Sequence, residues 1–215
     1  MGFLQQLKQQ AQAVQAEQGL QVRHLDAHVD ATEQACQLLW QYLSELATQL
    51  NVIQPAAQSL SLDGKSAWPD MKLADFRFDA RQKLLRQREV MNHVALGWRQ
   101  LPRVDTSARG RVAVNFPPEL ERVECRLRAG QVRHERLEQR HPDTHKLVSV
   151  VFEHDLATRA SVVFTPDHDQ AVFTVRLVCV RDWHTQNLSM PAAAITTECL
   201  DELAKAIVGQ PNVFG

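Results

Sequence analysis

The feature that most constrains the fold is a series of ten positions spaced alternately three and four residues apart, of which eight are aliphatic. This spacing keeps one seam on one side of an α-helix for about 48 Å, at about 1.5 Å per residue. No Pro or Gly interrupts it before Pro55. The sequence therefore predicts one continuous helix over residues 22–53. The seam positions are Val22, Leu25, Val29, Thr32, Cys36, Leu39, Leu43, Leu46, Leu50 and Ile53.

A weaker apolar stripe precedes this seam, among many glutamines, at Phe3, Leu4, Leu7, Ala11 and Val14. Gly19 is a candidate break between the two stripes, because a glycine inside a helix costs about 1 kcal/mol relative to alanine. Residues 1–54 are thus expected to form an N-terminal helical arm, as one long helix or a helical hairpin. Two interpretations stay open: a core helix of a compact domain, or an arm that dimerises. The interface candidates are Val22, Leu25, Val29, Leu39, Leu43 and Leu46.

The remaining chain predicts a connector over residues 55–71 and an antiparallel sheet domain over residues 72–215. Turn-forming residues, including Asp63-Gly64, punctuate the connector. Alternation of apolar and polar residues then predicts short strands joined as a meander, which makes the fold class α+β. Pro191 is expected to open a C-terminal helix that packs on the sheet. Strands are predicted near 72–101, 112–116, 122–128, 131–139, 146–153, 159–165 and 171–180.

Two of these strands lead to specific expectations about burial. In the segment 122–128, Val123, Cys125 and Leu127 should face the core while the alternate arginines face solvent. In the segment 171–180 both faces are largely apolar, which predicts a central strand covered on both sides. Arg176 would then be buried and would need an acidic or anionic partner.

The charge of the chain is unevenly distributed, although its net value is −1. Residues 71–140 carry sixteen Lys or Arg against nine Asp or Glu, whereas both flanking segments are acidic. This pattern suits an anionic ligand or nucleic acid, although neighbouring glutamates could also neutralise the arginines. No aromatic residue interleaves them, so stacking of single-stranded nucleic acid is not favoured. The candidates for anion binding are Arg77, Arg81, Arg122, Arg126, Arg128 and Arg176.

Two loops contain residues that could bind a metal: His141, Asp143, His145, Asp167, His168 and Asp169. In a single meander these loops share one end of the sheet. However, they would lie about 10 Å apart, whereas zinc ligands lie about 2 Å from the ion. We therefore expect no metal and no other cofactor. The sequence also lacks the glycine-rich phosphate loops and the nucleophile motifs of known enzyme classes.

These observations favour a non-catalytic adaptor or regulatory protein whose helical arm dimerises or binds a partner protein. The first alternative is binding of an anionic ligand or nucleic acid through the arginine-rich sheet face, and the second is a metal-dependent hydrolase. The four cysteines form no CxxC pair, and no apolar run reaches the length of a membrane span. The N-terminal residues also lack the apolar segment of a signal peptide. The chain is thus expected to be cytoplasmic, without a membrane partner.

Overall fold

The computed structural model describes residues 2–104 and 109–214; between residues 4 and 20 it describes the whole backbone but only some side chains. Its first element is a single helix, α1 (Phe3–Ile53). The predicted continuous helix over residues 22–53 is confirmed. Gly19 does not break it, so the N-terminal unit is one long helix rather than a helical hairpin. The helix ends at Gln54, whose left-handed backbone directs its N–H to the Leu50 carbonyl at 2.9 Å.

The C-terminal half of α1 is a core helix. Val29, Thr32, Leu39 and Leu43 are buried, and they lie along one face of the helix. This face packs mainly against the first two strands of the sheet. The Asn51 side chain strengthens this junction, since its amide accepts from the Phe76 N–H at 2.8 Å and donates to the Phe76 carbonyl at 2.9 Å.

Within the residues that the structure describes, eight strands follow, and they form two antiparallel sheets rather than one meander. The larger sheet has the order β1-β2-β6-β7-β8 and the smaller one β3-β5-β4. The α+β class, the antiparallel pairing and the C-terminal helix are confirmed. The strands do not form one meander, because the chain leaves the larger sheet after β2 and returns to it at β6. The strands are β1 (Met71–Leu85), β2 (Arg88–Pro102), β3 (Gly110–Val114), β4 (His134–Arg140), β5 (Leu147–His154), β6 (Thr158–Asp167), β7 (Val172–Val178) and β8 (Thr185–Pro191).

The larger sheet buries one face and leaves the other open. Val94, Val162 and Val175 contribute to the buried face, where alternate residues of β2, β6 and β7 meet the helices. The prediction that β7 is covered on both sides is wrong, because Thr174 and Arg176 on its other face are exposed. An antiparallel sheet commonly has one solvated face. Arg176 therefore needs no buried partner.

The strand predicted over 122–128 is in fact part of a helix, α2 (Pro117–Ala129). Val123 and Leu127, four residues apart, are buried as expected, because that spacing fits one helix face as well as one strand face. Cys125 was predicted to be buried, but it is exposed because it lies on another side of the helix. Pro117 starts the helix, where its missing N–H is no loss.

The C-terminal helix begins later than predicted. Residues 185–191 form strand β8, and a short 3-10 turn, Ala192–Ala194, leads into α3 (Thr197–Ile207). Thr196 caps α3, since its hydroxyl accepts from the Cys199 N–H at 3.3 Å. The helix packs beside α1, where the Tyr42 hydroxyl donates to Asp201 at 2.6 Å.

An aromatic cluster joins the connector to the end of β5 and to the loop between β7 and β8. Trp68 from the connector stacks on His154, with ring centroids 5.4 Å apart, and contacts Trp183 edge-on at 5.3 Å. All three side chains are buried. Burial lowers the pKa of His154 and outweighs the hydrogen bond to the Asp155 carbonyl, which acts in the opposite direction, while the nearby Arg109 guanidinium lowers the pKa further.

We expect the free energy of unfolding to fall as the pH is lowered from 7.5 to 5.5, in part because of His154. Below about pH 6.5 an unfolded histidine takes up a proton, whereas folded His154, with its lowered pKa, resists protonation. The unfolded state then binds more protons and is favoured. Urea unfolding at a series of pH values should show a smaller pH dependence in His154→Phe than in the wild type. An identical pH dependence in both proteins would contradict the assignment.

Candidate functional site

The N-terminal part of α1 extends away from the body of the protein. Every residue from Gly2 to His24 whose side chain is described is exposed, and Val22 retains 56% of its accessible surface. Leu25 is half-buried, and Val29 is the first buried residue of the seam. The segment from Phe3 to Leu25 spans about 35 Å at about 1.5 Å per residue. We call residues 3–25 the outer arm.

The interface candidates divide between the outer arm and the core. Val29, Leu39 and Leu43 are buried within the same chain, and Leu46 is half-buried against it. Those residues are unavailable to a partner in this fold, because the sheet already covers them. Of the six candidates, only Val22 and Leu25 lie on the outer arm.

Polar contacts hold α1 where the outer arm leaves the body. His28 donates from Nδ1 to the Asp169 carbonyl at 2.7 Å. Glu33 accepts through Oε1 both from His168 Nε2 at 2.8 Å and from the Met91 N–H at 2.9 Å. These contacts join α1 to β2 and to the turn between β6 and β7. They determine the direction in which the outer arm leaves the body.

The metal candidates lie on turns of different sheets. His141, Asp143 and His145 are in the β4–β5 turn of the smaller sheet, whereas Asp167, His168 and Asp169 belong to the β6–β7 turn of the larger one. The expectation that both loops share one end of one sheet is therefore wrong. Within residues 2–104 and 109–214, no three His, Cys, Asp or Glu side chains converge closely enough to hold a metal ion.

Several of these loop residues have structural roles instead. Asp167 accepts from the backbone N–H groups of Asp169 and Gln170 at 3.0 and 3.1 Å, which shapes the turn. The side chain of His168 is 1% exposed and contacts Glu33. His141 accepts through Nδ1 from two N–H groups of its own turn at 3.3 and 3.4 Å.

Three of the six arginine candidates lie on α2 rather than on a strand. Arg122 donates to the Asp63 carbonyl at 2.9 Å, and Arg126 donates to the carbonyls of Ser61 and Leu62 at 3.2 and 2.9 Å. These two side chains hold the connector against the helix. Arg128 is exposed beyond them.

The other three candidates, Arg77, Arg81 and Arg176, lie on the open face of the larger sheet. Two further arginines, which sequence analysis did not single out, share this face: Arg99 on β2 and Arg159 on β6. Strand pairing brings them there, because Arg77 lies opposite Gly97, and Gly97 lies opposite Ser161. Arg99 is two residues from Gly97 on β2, and Arg159 is two residues from Ser161 on β6, so both point to the same face as Arg77. Alternation along the strands identifies them once the register is known.

A cleft of about 320 Å³ lies at one end of this open face. Its charged residues are Arg77, Arg99, Arg159 and Asp75, and Asp75 forms an ion pair with Arg99 at 3.2 Å. Gly97 and Ser161 also line it, together with Gln131 from the loop that follows α2. Gln131 is held near the sheet because the preceding Gly130 carbonyl accepts from the Thr158 hydroxyl at 2.9 Å.

The buried thiols are poorly suited to nucleophilic catalysis. Burial raises the pKa of Cys36 to about 12 and that of Cys179 to about 11, with smaller contributions from Glu33 and Asp182 respectively. The thiolate is the nucleophilic form, and at neutral pH these two groups are protonated. Cys36 and Cys179 serve as small apolar core residues.

Among the helices that the structure describes, none is both long enough and apolar enough to cross a membrane. Comparison with known protein-family models, curated proteins and solved structures finds no match to this chain.

Proposed function

We propose that the protein is a non-catalytic adaptor or regulatory protein that associates with a second copy of itself through the outer arm. The observation that carries the proposal is the exposure of the outer arm at the end of a helix whose other half is a core element. Most helical stability in proteins comes from packing of an apolar face, and every described side chain of the outer arm before Leu25 is exposed within the single chain. An outer arm that packs against a partner would gain this stability.

A second copy is the favoured partner because of the spacing along the outer arm. Val22 and Leu25 continue the seam that Val29 begins on the body, with the alternating spacing of a coiled coil. The stripe that starts at Leu4 and Leu7 repeats this spacing further out. Gln15 and Gln18 separate this stripe from the seam, so two outer arms would present two short matching apolar patches to each other rather than one continuous seam.

We expect Val22→Asp to convert a dimer into a monomer without lowering the melting temperature of the body. Placing an unpaired carboxylate in a buried helix–helix contact should weaken association by about tenfold or more, whereas Val22 contributes little to the core because it is exposed in the single chain. Light scattering after size-exclusion chromatography measures the mass, and circular dichroism measures the melting temperature.

The matched control is Ala27→Asp, which introduces the same charge on the opposite side of the helix. Ala27 is exposed, so this variant should retain both the dimer and the melting temperature. A wild-type protein that stays monomeric at all concentrations would contradict self-association. The same mass for Val22→Asp and wild-type dimers would place the interface outside the seam.

The hydrolase alternative lacks support in the arrangement of its residues. Its two loops belong to different sheets, and His168 is hydrogen-bonded to Glu33. The alternative of anion binding has support on the open face of the larger sheet. The arginines there that line a cleft are Arg77, Arg99 and Arg159, of which the sequence indicated only Arg77.

A further inference from the structure

The cleft on the open sheet face concentrates positive charge beyond what its packing requires. Arg99 and Arg159 are direct partners across β2 and β6, and like charges in opposed positions destabilise a sheet. Asp75 pairs with Arg99, and among the described residues no carboxylate forms an ion pair with Arg77 or Arg159. Within the described part of the chain, the Arg159 side chain has only a long contact to Gln131, at 3.5 Å. The cleft therefore carries an excess of about two positive charges, on groups suited to bind an anion.

Gly97 on the cleft wall gives a second, independent indication. Glycine weakens the interior of a strand and often marks a site where a ligand approaches the backbone. Gly97 needs no left-handed conformation, and a Cβ atom built there would meet only the Ala160 carbonyl oxygen, at 3.8 Å. Neither backbone strain nor internal packing therefore requires glycine at this position. Because Gly97 has no side chain, the space above its backbone stays open as part of the cleft.

From these two observations we infer that the cleft binds the phosphate group of a small phosphomonoester. A phosphomonoester carries a charge of about −1.5 to −2 at pH 7, close to the excess charge of the cleft. Arginine matches phosphate oxygens with paired N–H donors, and the Ser161 hydroxyl can contribute one more. The volume of about 320 Å³ is at the small end of ligand sites.

The same surroundings disfavour nucleic acid as the ligand. Among the described residues that line the cleft, Trp98 is the one aromatic side chain. It points into the core and is only 3% exposed. A base therefore has no ring to stack on, although single-stranded nucleic acid usually requires such contacts. The cleft is independent of the outer arm, because it is formed by β1, β2, β6, the end of β7 at Val178 and the loop after α2.

Isothermal titration calorimetry with ribose 5-phosphate and with inorganic phosphate tests the inference, with ribose and matched sodium chloride as blanks. We expect saturable binding of both phosphates and none of ribose. Arg159→Gln and Arg77→Gln should each weaken binding by about tenfold, because each removes a charged hydrogen-bond donor. Gly97→Val should abolish binding without lowering the melting temperature, because valine suits a strand and fills the cleft.

Two control variants lie on the same sheet face outside the cleft. Ala95→Val places the same side chain two residues along β2, and Arg176→Gln removes a charge from β7. Both should bind within about twofold of the wild type, since the expected contacts are short-range. Val22→Asp should also bind normally, which separates this test from that of the outer arm.

Three results would overturn the inference. The first is the absence of saturable phosphate binding at matched ionic strength. The second is unchanged binding by a folded Gly97→Val protein. The third is that a DNA duplex binds more tightly than the phosphates and that Arg81→Gln, Arg176→Gln and Arg159→Gln weaken duplex binding equally. That result would assign the whole sheet face to nucleic acid, rather than the cleft to a phosphomonoester.

Discussion

Leu43→Asp should prevent the protein from folding. Leu43 is fully buried on the face of α1 that packs against the sheet, near the equally buried Leu39. Replacing a buried leucine by alanine costs about 2–5 kcal/mol, and an unpaired buried carboxylate adds a further penalty of several kcal/mol. The total approaches the full stability of a typical domain, about 5–15 kcal/mol. The variant should lack a cooperative thermal transition in circular dichroism.

The milder variant Leu43→Ala keeps this prediction measurable if Leu43→Asp cannot be purified. Its free energy of unfolding in urea should be lower than that of the wild type by about 2–5 kcal/mol. Val22→Asp is the matched comparison, because Val22 belongs to the same seam but is exposed. A folded Leu43→Asp protein with wild-type stability would mean that α1 does not pack on the sheet as the structure describes.

Val22 is exposed and Leu43 is buried although both belong to the seam, which shows what the sequence of α1 predicts and what it does not. The seam spacing predicts one helix, and the helix is there, because a repeat that holds its phase over many turns fits no other regular structure. The spacing does not reveal what covers the seam. A sheet and a second helix both bury an apolar stripe, so the boundary between the core half of α1 and the outer arm emerges only from the tertiary structure.

The segment 117–129 shows where local patterns are ambiguous. Val123 and Leu127 satisfy both a period of two and a helical spacing of four, and alternating arginines made the strand interpretation attractive. Pro117-Pro118 is the signal that favoured the helix, because proline is tolerated in the first turn but not within a strand ladder. The exposed Cys125 distinguishes the two interpretations, since a strand would bury it and the helix does not.

The candidate sites depended on how the strands are arranged, which the sequence did not reveal. Placing all strands in one meander put the loops at His141 and Asp167 at the same end, whereas the chain changes sheet between β5 and β6. Likewise, Arg99 and Arg159 are 60 residues apart and become neighbours only through the β2–β6 pairing. The cleft is therefore a product of register between distant strands, beyond what local alternation can predict.

The second large effect is expected at Gly130, where Gly130→Ala should lower the free energy of unfolding by about 1–3 kcal/mol. Gly130 has an ordinary φ of −78°, so alanine can adopt its backbone conformation. A Cβ atom, however, would lie 2.4 Å from the Thr158 hydroxyl oxygen and 2.6 Å from Cζ3 of Trp183. Neither neighbour can move freely, because Thr158 donates to the Gly130 carbonyl at 2.9 Å and Trp183 donates to the Ser61 carbonyl at 2.9 Å.

Gly97→Ala is the matched control, because it makes the same change where the added atom has room. Its Cβ would meet nothing closer than 3.8 Å, and replacing a glycine within a strand should raise the free energy of unfolding by about 0.5–1 kcal/mol. Urea unfolding of the two variants should therefore give changes of opposite sign. If Gly130→Ala were as stable as Gly97→Ala, the loop after α2 would have to lie further from Thr158 and Trp183 than the structure describes. In that case Gln131 would not be held at the edge of the cleft.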